Sequence, residues 1–300
     1  MYILEEVLDK KTLAVLFSIF TLFATVGMGA MVQANSISDL LNNSTGISKG
    51  VVGIFIAIIA TYIIFGGKYR IAKINSWLIP LCTCIYVVLC GGILVIYSDN
   101  ILQAIKDIVD SALGVRQVAG AVVGISVIKC ISIGFSRGMF SNEAGMGSAP
   151  IFAVTTEDEG DMKTNAHIMA WSVFIDTIFL CTLTGLVLVV SGVYTIPNVT
   201  VMLQTAFNVL PFGNVLLTFC MIIFVISTIP CWEFYGEQVL NYLLKKRYSI
   251  YLYKFIYIVC VYLGCVMSIH IVWDLSNISN ALMALPNLYM IFKLRNTIER

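Results

Sequence analysis

Charge is scarce in this chain. Asp, Glu, Lys and Arg make up 12% of 300 residues, about half the share of an ordinary globular domain. The formal net charge is +1. With no basic or acidic field, there is no footprint for nucleic acid. Histidine is almost absent, with 2 in the chain. The 9 cysteines are scattered through apolar stretches, and only Cys82 and Cys84 lie close together. No Cys/His set has zinc spacing, so the cysteines read as small buried hydrophobes. The chain has no His-Glu-x-x-His, no pair of membrane aspartates and no Ser/His arrangement. An intramembrane enzyme is therefore set aside.

What is present is apolar. Hydrophobic residues reach 59% and the mean hydropathy is +0.92. No soluble domain can hide that much apolar surface, whereas a lipid bilayer accepts it. The first residues carry Glu5, Glu6, Asp9, Lys10 and Lys11. The apolar run after them is longer than the core of a cleavable signal peptide, so none is expected.

A helix needs about 20 apolar residues to cross the hydrocarbon core. On that basis eight spans are expected. They cover Leu13–Gln33, Val51–Gly67, Trp77–Tyr97, Gln117–Ala149, Ala166–Val190, Gly213–Pro230, Ile250–Ser268 and Leu275–Phe292. Basic residues cluster in the short connections. Lys68, Arg70 and Lys73 lie between spans two and three, Lys245, Lys246 and Arg247 between six and seven, and Lys293, Arg295 and Arg300 after span eight. Alternating spans place these clusters and Lys10 and Lys11 on one side. The positive-inside rule makes that side, with the C-terminus, cytoplasmic. The acidic loop Glu157, Asp158, Glu159 and Asp161 falls on the same side, but acidic residues weigh little in the rule.

Span four is irregular. Gly134, Gly138, Gly145 and Gly147 are poor helix formers, Pro150 ends the run, and Arg137 and Glu143 would be costly against lipid. Backbone that leaves the helix at membrane depth must face protein or a cavity. An interrupted, Gly-rich, charge-bearing span therefore points to a substrate site. The alternative is an ordinary loop joining two helices. Asp176 lies mid-span in helix five, where an ionisable group is functional by default. Its structural alternative is an ion pair with Lys129 or Arg137. His167 and His270, near span ends, read as polar surface residues.

The run Gly138-Met-Phe-Ser-Asn-Glu-Ala-Gly-Met-Gly-Ser-Ala-Pro150 resembles the signature of the alanine/glycine:cation symporter family. Further blocks follow in family order. They are Met31–Ile37, Gly66-Gly67 with Arg70–Lys73 and Pro80, Phe174–Thr177 with Cys181-Thr182, Thr228-Ile229 with Trp232 and Tyr235–Glu237, and Ala281–Leu288. The resemblance implies an all-α membrane protein with a partial leucine-transporter-like fold of two inverted five-helix repeats. Residues 1–98 would be the last three helices of the first repeat and 117–292 the second repeat.

It also implies secondary active import of small neutral amino acids, alanine or glycine, with Na⁺ as coupling ion and no other cofactor. Unwound backbone from Phe140 through Ser141, Asn142, Glu143 and Ala144 to Gly145 would line the amino-acid site. Ser227 and Thr228 would supply hydroxyls to a sodium ion, since hard oxygens suit a hard cation. Their alternative is hydrogen bonding back into the helix. Thr228 would also border the substrate. Trp232 would wall the pocket, or else anchor at the membrane interface. Glu143 would touch ligand or hold the loop.

Departures from the family pattern are Ala30 in place of Asn, Pro230-Cys231 in place of a Leu-Gly-like pair, and Glu233 in place of a small residue. Family members also begin with further helices, the first core helix among them, so the chain as given is expected to insert but not to transport. It would then be a fragment, or one half of a split carrier whose partner is a separately encoded N-terminal half.

Overall fold

The computed structural model describes residues 1–112, 123–153 and 162–298. The described residues are helical with short connections. A short π-helical turn, Ile3–Val7, precedes α1, Lys11–Thr45. There follow α2 Lys49–Ile64, α3 Gly67–Ile96, α4 Ile101–Ala112, α5 Val123–Asn142, α6 Ser148–Ala153, α7 Lys163–Val190, α8 Val199–Phe207, α9 Gly213–Leu244, α10 Arg247–Val266 and α11 Ile269–Ile298. Five of them, α1, α3, α7, α9 and α10, are long and apolar enough to cross a membrane, and α2 is a shorter apolar helix. The protein is thus an all-α membrane protein.

Helix occupies part of each of the eight expected spans, but several boundaries differ. α1 runs on past Gln33 to Thr45 and stops where Gly46 takes a left-handed conformation, its N–H bonded to Asn42 O at 2.9 Å. The expected loop carrying Lys68, Arg70 and Lys73 is the first two turns of α3. Three basic side chains need not end a helix, because long cationic chains reach water from a helical backbone. Pro230 does not end α9, which continues to Leu244. Proline removes one backbone donor but is tolerated in membrane helices when neighbours satisfy what it frees. Pro80 and Pro286 likewise lie inside α3 and α11. The start of span four at Gln117 and the acidic loop Glu157–Asp161 lie outside the described residues.

The chain divides into two compact units. Unit one holds residues 1–80, 143–166 and 221–300. Its core joins Ala30, Ala34 and Ile37 of α1, Val52, Ile56 and Ala60 of α2, Val225 and Ile229 of α9, and Tyr257 and Val261 of α10. Small residues let these helices approach closely. A Cβ at Gly29 would collide with Trp232 Cβ, and one at Gly264 would stand 2.6 Å from Met31 Cα. Residues Thr25–Val32 of α1 are π-helical, which carries Gly29 to Trp232. The block Met31–Ile37 serves the same packing. Asn35 Nδ2 donates to the carbonyls of Gly264 and Met267, both at 2.9 Å, and Ser38 Oγ donates to Cys265 O at 3.0 Å.

Unit two holds residues 81–142 and 167–220. Tyr86 of α3 shares a 2.7 Å hydrogen bond with Thr184 of α7 and stacks on Phe207 of α8. Its helices expose large apolar side chains, among them Val88, Ile128 and Phe135, as lipid-facing helices do.

All nine cysteines are free thiols. Cys82, Cys90, Cys220 and Cys265 are buried as expected, and Cys231 and Cys260 are half-buried. Cys84, Cys130 and Cys181 correct the expectation. They are exposed on apolar helices, where a thiol is apolar enough to face lipid.

Candidate functional site

The irregular span is broken, and the break lies further along than the sequence suggested. Phe140, Ser141 and Asn142 complete the last turn of α5. The backbone leaves the helix at Glu143 and re-enters one at Ser148. Three residues in the break have positive φ: Glu143 at 53°, Gly145 at 85° and Gly147 at 85°. Glycine adopts this conformation freely, whereas a glutamate there is held at a cost of about 1–2 kcal/mol. Phe140–Asn142 fit a helix, and this is why the unwound stretch covers Glu143–Gly147 instead of Phe140–Gly145.

Within unit one the break is tied at both ends. Glu143 O accepts the N–H of Met146 at 3.0 Å, closing a tight turn. Glu143 Oε2 accepts the hydroxyl of Ser148 at 2.7 Å, so the carboxylate reaches across the turn to the first residue of α6. Glu143 therefore holds the loop. Asn287 of α11 donates to Gly145 O at 2.9 Å, satisfying a carbonyl freed by the break. A Cβ at Gly147 would meet Asn287 Oδ1 at 2.9 Å and Phe17 Cζ at 3.1 Å. Met146, Gly147 and Ser148 are buried, whereas Ala144 is exposed. Sequence reasoning did not single out Asn287, although it belongs to the quoted block Ala281–Leu288. A polar amide directly after Pro286 in an apolar helix was the available clue.

On α9, Ser227 is buried and Thr228 is partly so. Both hydroxyls donate to Phe224 O, at 2.8 Å and 2.7 Å. The back-bonding alternative is thus realised, and each oxygen keeps its acceptor capacity. Asn75 Nδ2 donates to Cys231 Sγ at 3.0 Å, which gives the Cys231 departure a partner. Trp232 is 2% exposed, packed on Gly29 and edge-on to Tyr235 at 5.3 Å. It is buried in the packing of α9 on α1 and is not an exposed interfacial anchor.

Within unit two, Ser141 Oγ donates to Asp176 Oδ2 at 3.0 Å and lies 3.3 Å from Thr177 Oγ1 and 3.3 Å from Cys181 Sγ. Asp176 and Thr177 sit on a π-helical stretch of α7, Phe174–Leu180. Such widened turns recur at functional sites. The partner Asp176 finds is thus a hydroxyl, where the sequence suggested Lys129 or Arg137. His167 and His270 are exposed, as expected.

A cavity of about 710 Å³ in unit one is lined by apolar Leu13, Leu16, Phe20, Leu285, Pro286 and Tyr289 and by polar Asp9, Lys10, Lys11 and Thr12. It includes none of the residues expected to bind solute or sodium. Among the described residues no cluster of His, Cys, Asp and Glu could hold a transition metal.

Long apolar helices and an interrupted, polar helix define a multi-pass membrane protein built as carriers are. The chain belongs to the sodium:alanine symporter family, whose profile matches residues 1–300. That is a family of transporters and not of enzymes. An uncharacterised transporter of Haemophilus influenzae is 34% identical over 99% of this chain and 66% of its own length. The sodium/alanine symporter AgcS of Methanococcus maripaludis is 32% identical over 96% of this chain and 64% of its own. The amino-acid carrier protein AlsT of Bacillus subtilis is 30% identical over 98% of this chain and 63% of its own. The chain thus spans just under two thirds of the length of each of these relatives.

Proposed function

We infer that the chain serves Na⁺-coupled movement of small neutral amino acids, alanine or glycine, across the cell membrane. The observation that carries this reading is the break at Glu143–Gly147, held open by Glu143–Ser148 and Asn287–Gly145. Backbone unwound at membrane depth exposes amide and carbonyl groups that a zwitterionic solute can use. The proposal assigns the solute to the stretch from Phe140 to Gly145 together with Thr228 and Trp232. It assigns Na⁺ to the hydroxyl oxygens of Ser227 and Thr228, whose protons are already given to Phe224 O. Sodium is the coupling ion, and no further cofactor is proposed. The inverted-repeat arrangement and the cytoplasmic C-terminus belong to the same reading. The family membership and the names borne by AgcS and AlsT support it.

The test is uptake of labelled alanine by vesicles containing the chain joined to the further helices with which family members begin, with Na⁺ replaced by choline. Uptake that collapses in choline and weakens in Thr228→Ala is expected. Uptake indifferent to the swap overturns the sodium assignment, and no uptake above empty vesicles overturns the transport reading.

A further inference from the structure

The buried charge on α9 does not balance. Glu233 follows Trp232 and is 1% exposed. Each element packed around it contributes a polar or charged group. From α9 itself comes Glu237, from α10 come Lys254, Tyr253 and Tyr257, and from α1 comes Thr25. Lys254 Nζ is 2.8 Å from Glu237 Oε2 but 3.9 Å from Glu233 Oε1. The ammonium is therefore committed to Glu237, with the ring of Phe65 centred 5.9 Å away.

The hydroxyl hydrogens nearby are also spent elsewhere. Thr25 donates to Leu22 O at 2.8 Å, and Tyr257 donates to Ile229 O at 2.8 Å. Tyr253 lies 3.0 Å from Thr25 Oγ1 and donates at 3.5 Å to the backbone carbonyl of Glu233, not to its carboxyl. Glu233 Oε1 has no hydrogen-bond partner. Two carboxylates and one ammonium would leave a negative charge, without a hydrogen bond to that oxygen, inside a helix long enough to span the membrane. Burial of that kind is tolerated when the group is neutral.

We propose that Glu233 is a proton-binding site within the span of α9, resting as the neutral acid beside a Lys254–Glu237 ion pair. Binding transfers one proton from water to the carboxylate, and release returns it. No electron moves and no covalent partner is needed. Loss of the proton sets a second negative charge against Lys254 and draws the ammonium between the two carboxylates. The fit of α10 on α9 then changes beside Trp232. The cation class is set by charge: the Lys254 ammonium, 3.9 Å from Oε1, already holds the cationic position and would repel a metal ion there. This inference is independent of which solute the chain carries.

Infrared spectroscopy of the purified full chain in lipid, with isotope-labelled glutamate, tests it. A protonated-carboxyl band that moves with the label is expected at neutral pH. It should vanish in Glu233→Gln, persist in Glu237→Gln, and give way to carboxylate absorption as the pH is raised. Thermal unfolding should follow the same sign, with the wild type losing stability towards alkaline pH and Glu233→Gln indifferent over that range. If Glu233→Gln does not insert, the labelled wild type and Glu237→Gln still decide. A missing labelled acid band overturns the proposal, as does one that persists in Glu233→Gln. So does glutamate carboxylate absorption that responds to Na⁺ and not to pH, which would give Oε1 to a metal cation.

Discussion

Gly147→Ala tests whether the break is held by side chains of α11 or only by its own turn. The added Cβ enters at φ 85°, 2.9 Å from Asn287 Oδ1, 3.0 Å from Asn287 Cγ and 3.1 Å from Phe17 Cζ. The left-handed backbone costs about 1–2 kcal/mol for a residue with a Cβ. Moving the amide of Asn287 also breaks its 2.9 Å bond to Gly145 O. A part-buried carbonyl left unpaired costs up to about 1–3 kcal/mol. The sum is about 2–5 kcal/mol, a fall in apparent melting temperature on the order of 5–10 °C. The decisive form is a double-mutant cycle followed by thermal unfolding in detergent. Asn287→Ala alone should cost about 1–3 kcal/mol, because Gly145 O loses its donor. In that background Gly147→Ala should cost only its backbone strain and the approach to Phe17 Cζ, since the amide it displaces is gone. Coupling of at least about 1 kcal/mol is expected. Additivity within about 0.5 kcal/mol, the ordinary result for independent sites, would show that Asn287 does not hold the break.

Three further outcomes follow from the same geometry. Thr228→Ala should weaken the apparent affinity for Na⁺ in uptake while lowering stability by less than about 1 kcal/mol, because Phe224 O keeps its bond from Ser227. Equal Na⁺ dependence in wild type and variant would contradict the assignment. Gly29→Ala should destabilise by about 1–3 kcal/mol or more through overpacking, and Trp232→Phe should not rescue it, because the clash is with a Cβ that Phe retains. Rescue would mean that the indole ring sets the contact. The hydroxyl of Tyr242, with lesser help from Lys11, holds the Glu5 carboxyl below its ordinary value. A lowered folded value stabilises above the unfolded value and fades as the pH falls through the folded one. Wild type and Tyr242→Phe should therefore differ in thermal stability at neutral pH and converge in acid, and a constant gap across that range would rule out the linkage.

The break was legible because it is written in local chemistry. Gly145, Gly147 and Pro150 punctuate any helix, and their spacing placed the interruption within a few residues. Its edges were not legible, because Phe140, Ser141 and Asn142 are as content in a helix as out of one. Tertiary contacts decided that they finish α5. The ends of α1 and α9 were misjudged for a related reason. Pro230 and the polar run after Gln33 look like stops when read locally, but packing onto α10 carries both helices onward, through Asn35 and Ser38 in one case and Tyr257 in the other. The partners of the polar groups were least legible of all. Asn287 meets Gly145 across 142 residues, and Ser141 meets Asp176 across 35. Neither separation leaves a periodic trace. Glu233 stood out only as a departure from the family pattern, and its neighbour Lys254 gave no hint at all.

The two oxygen-rich places on the chain are prepared for different company. Ser227 and Thr228 have turned their hydrogens inward to Phe224 O, so what each hydroxyl presents is the negative end of its dipole. Such oxygens are ready for a cation without any rearrangement of hydrogens. Ser141 does the opposite. Its hydrogen points at Asp176 Oδ2, and part of that carboxylate's charge is already answered. The carboxyl group keeps its remaining acceptor positions, so this place presents an acid already joined by one donor. The hydrogen-bond directions therefore separate an acceptor-only pair on α9 from a pre-bonded acid on α7, although both read from the sequence as hydroxyl or carboxyl groups in apolar helices.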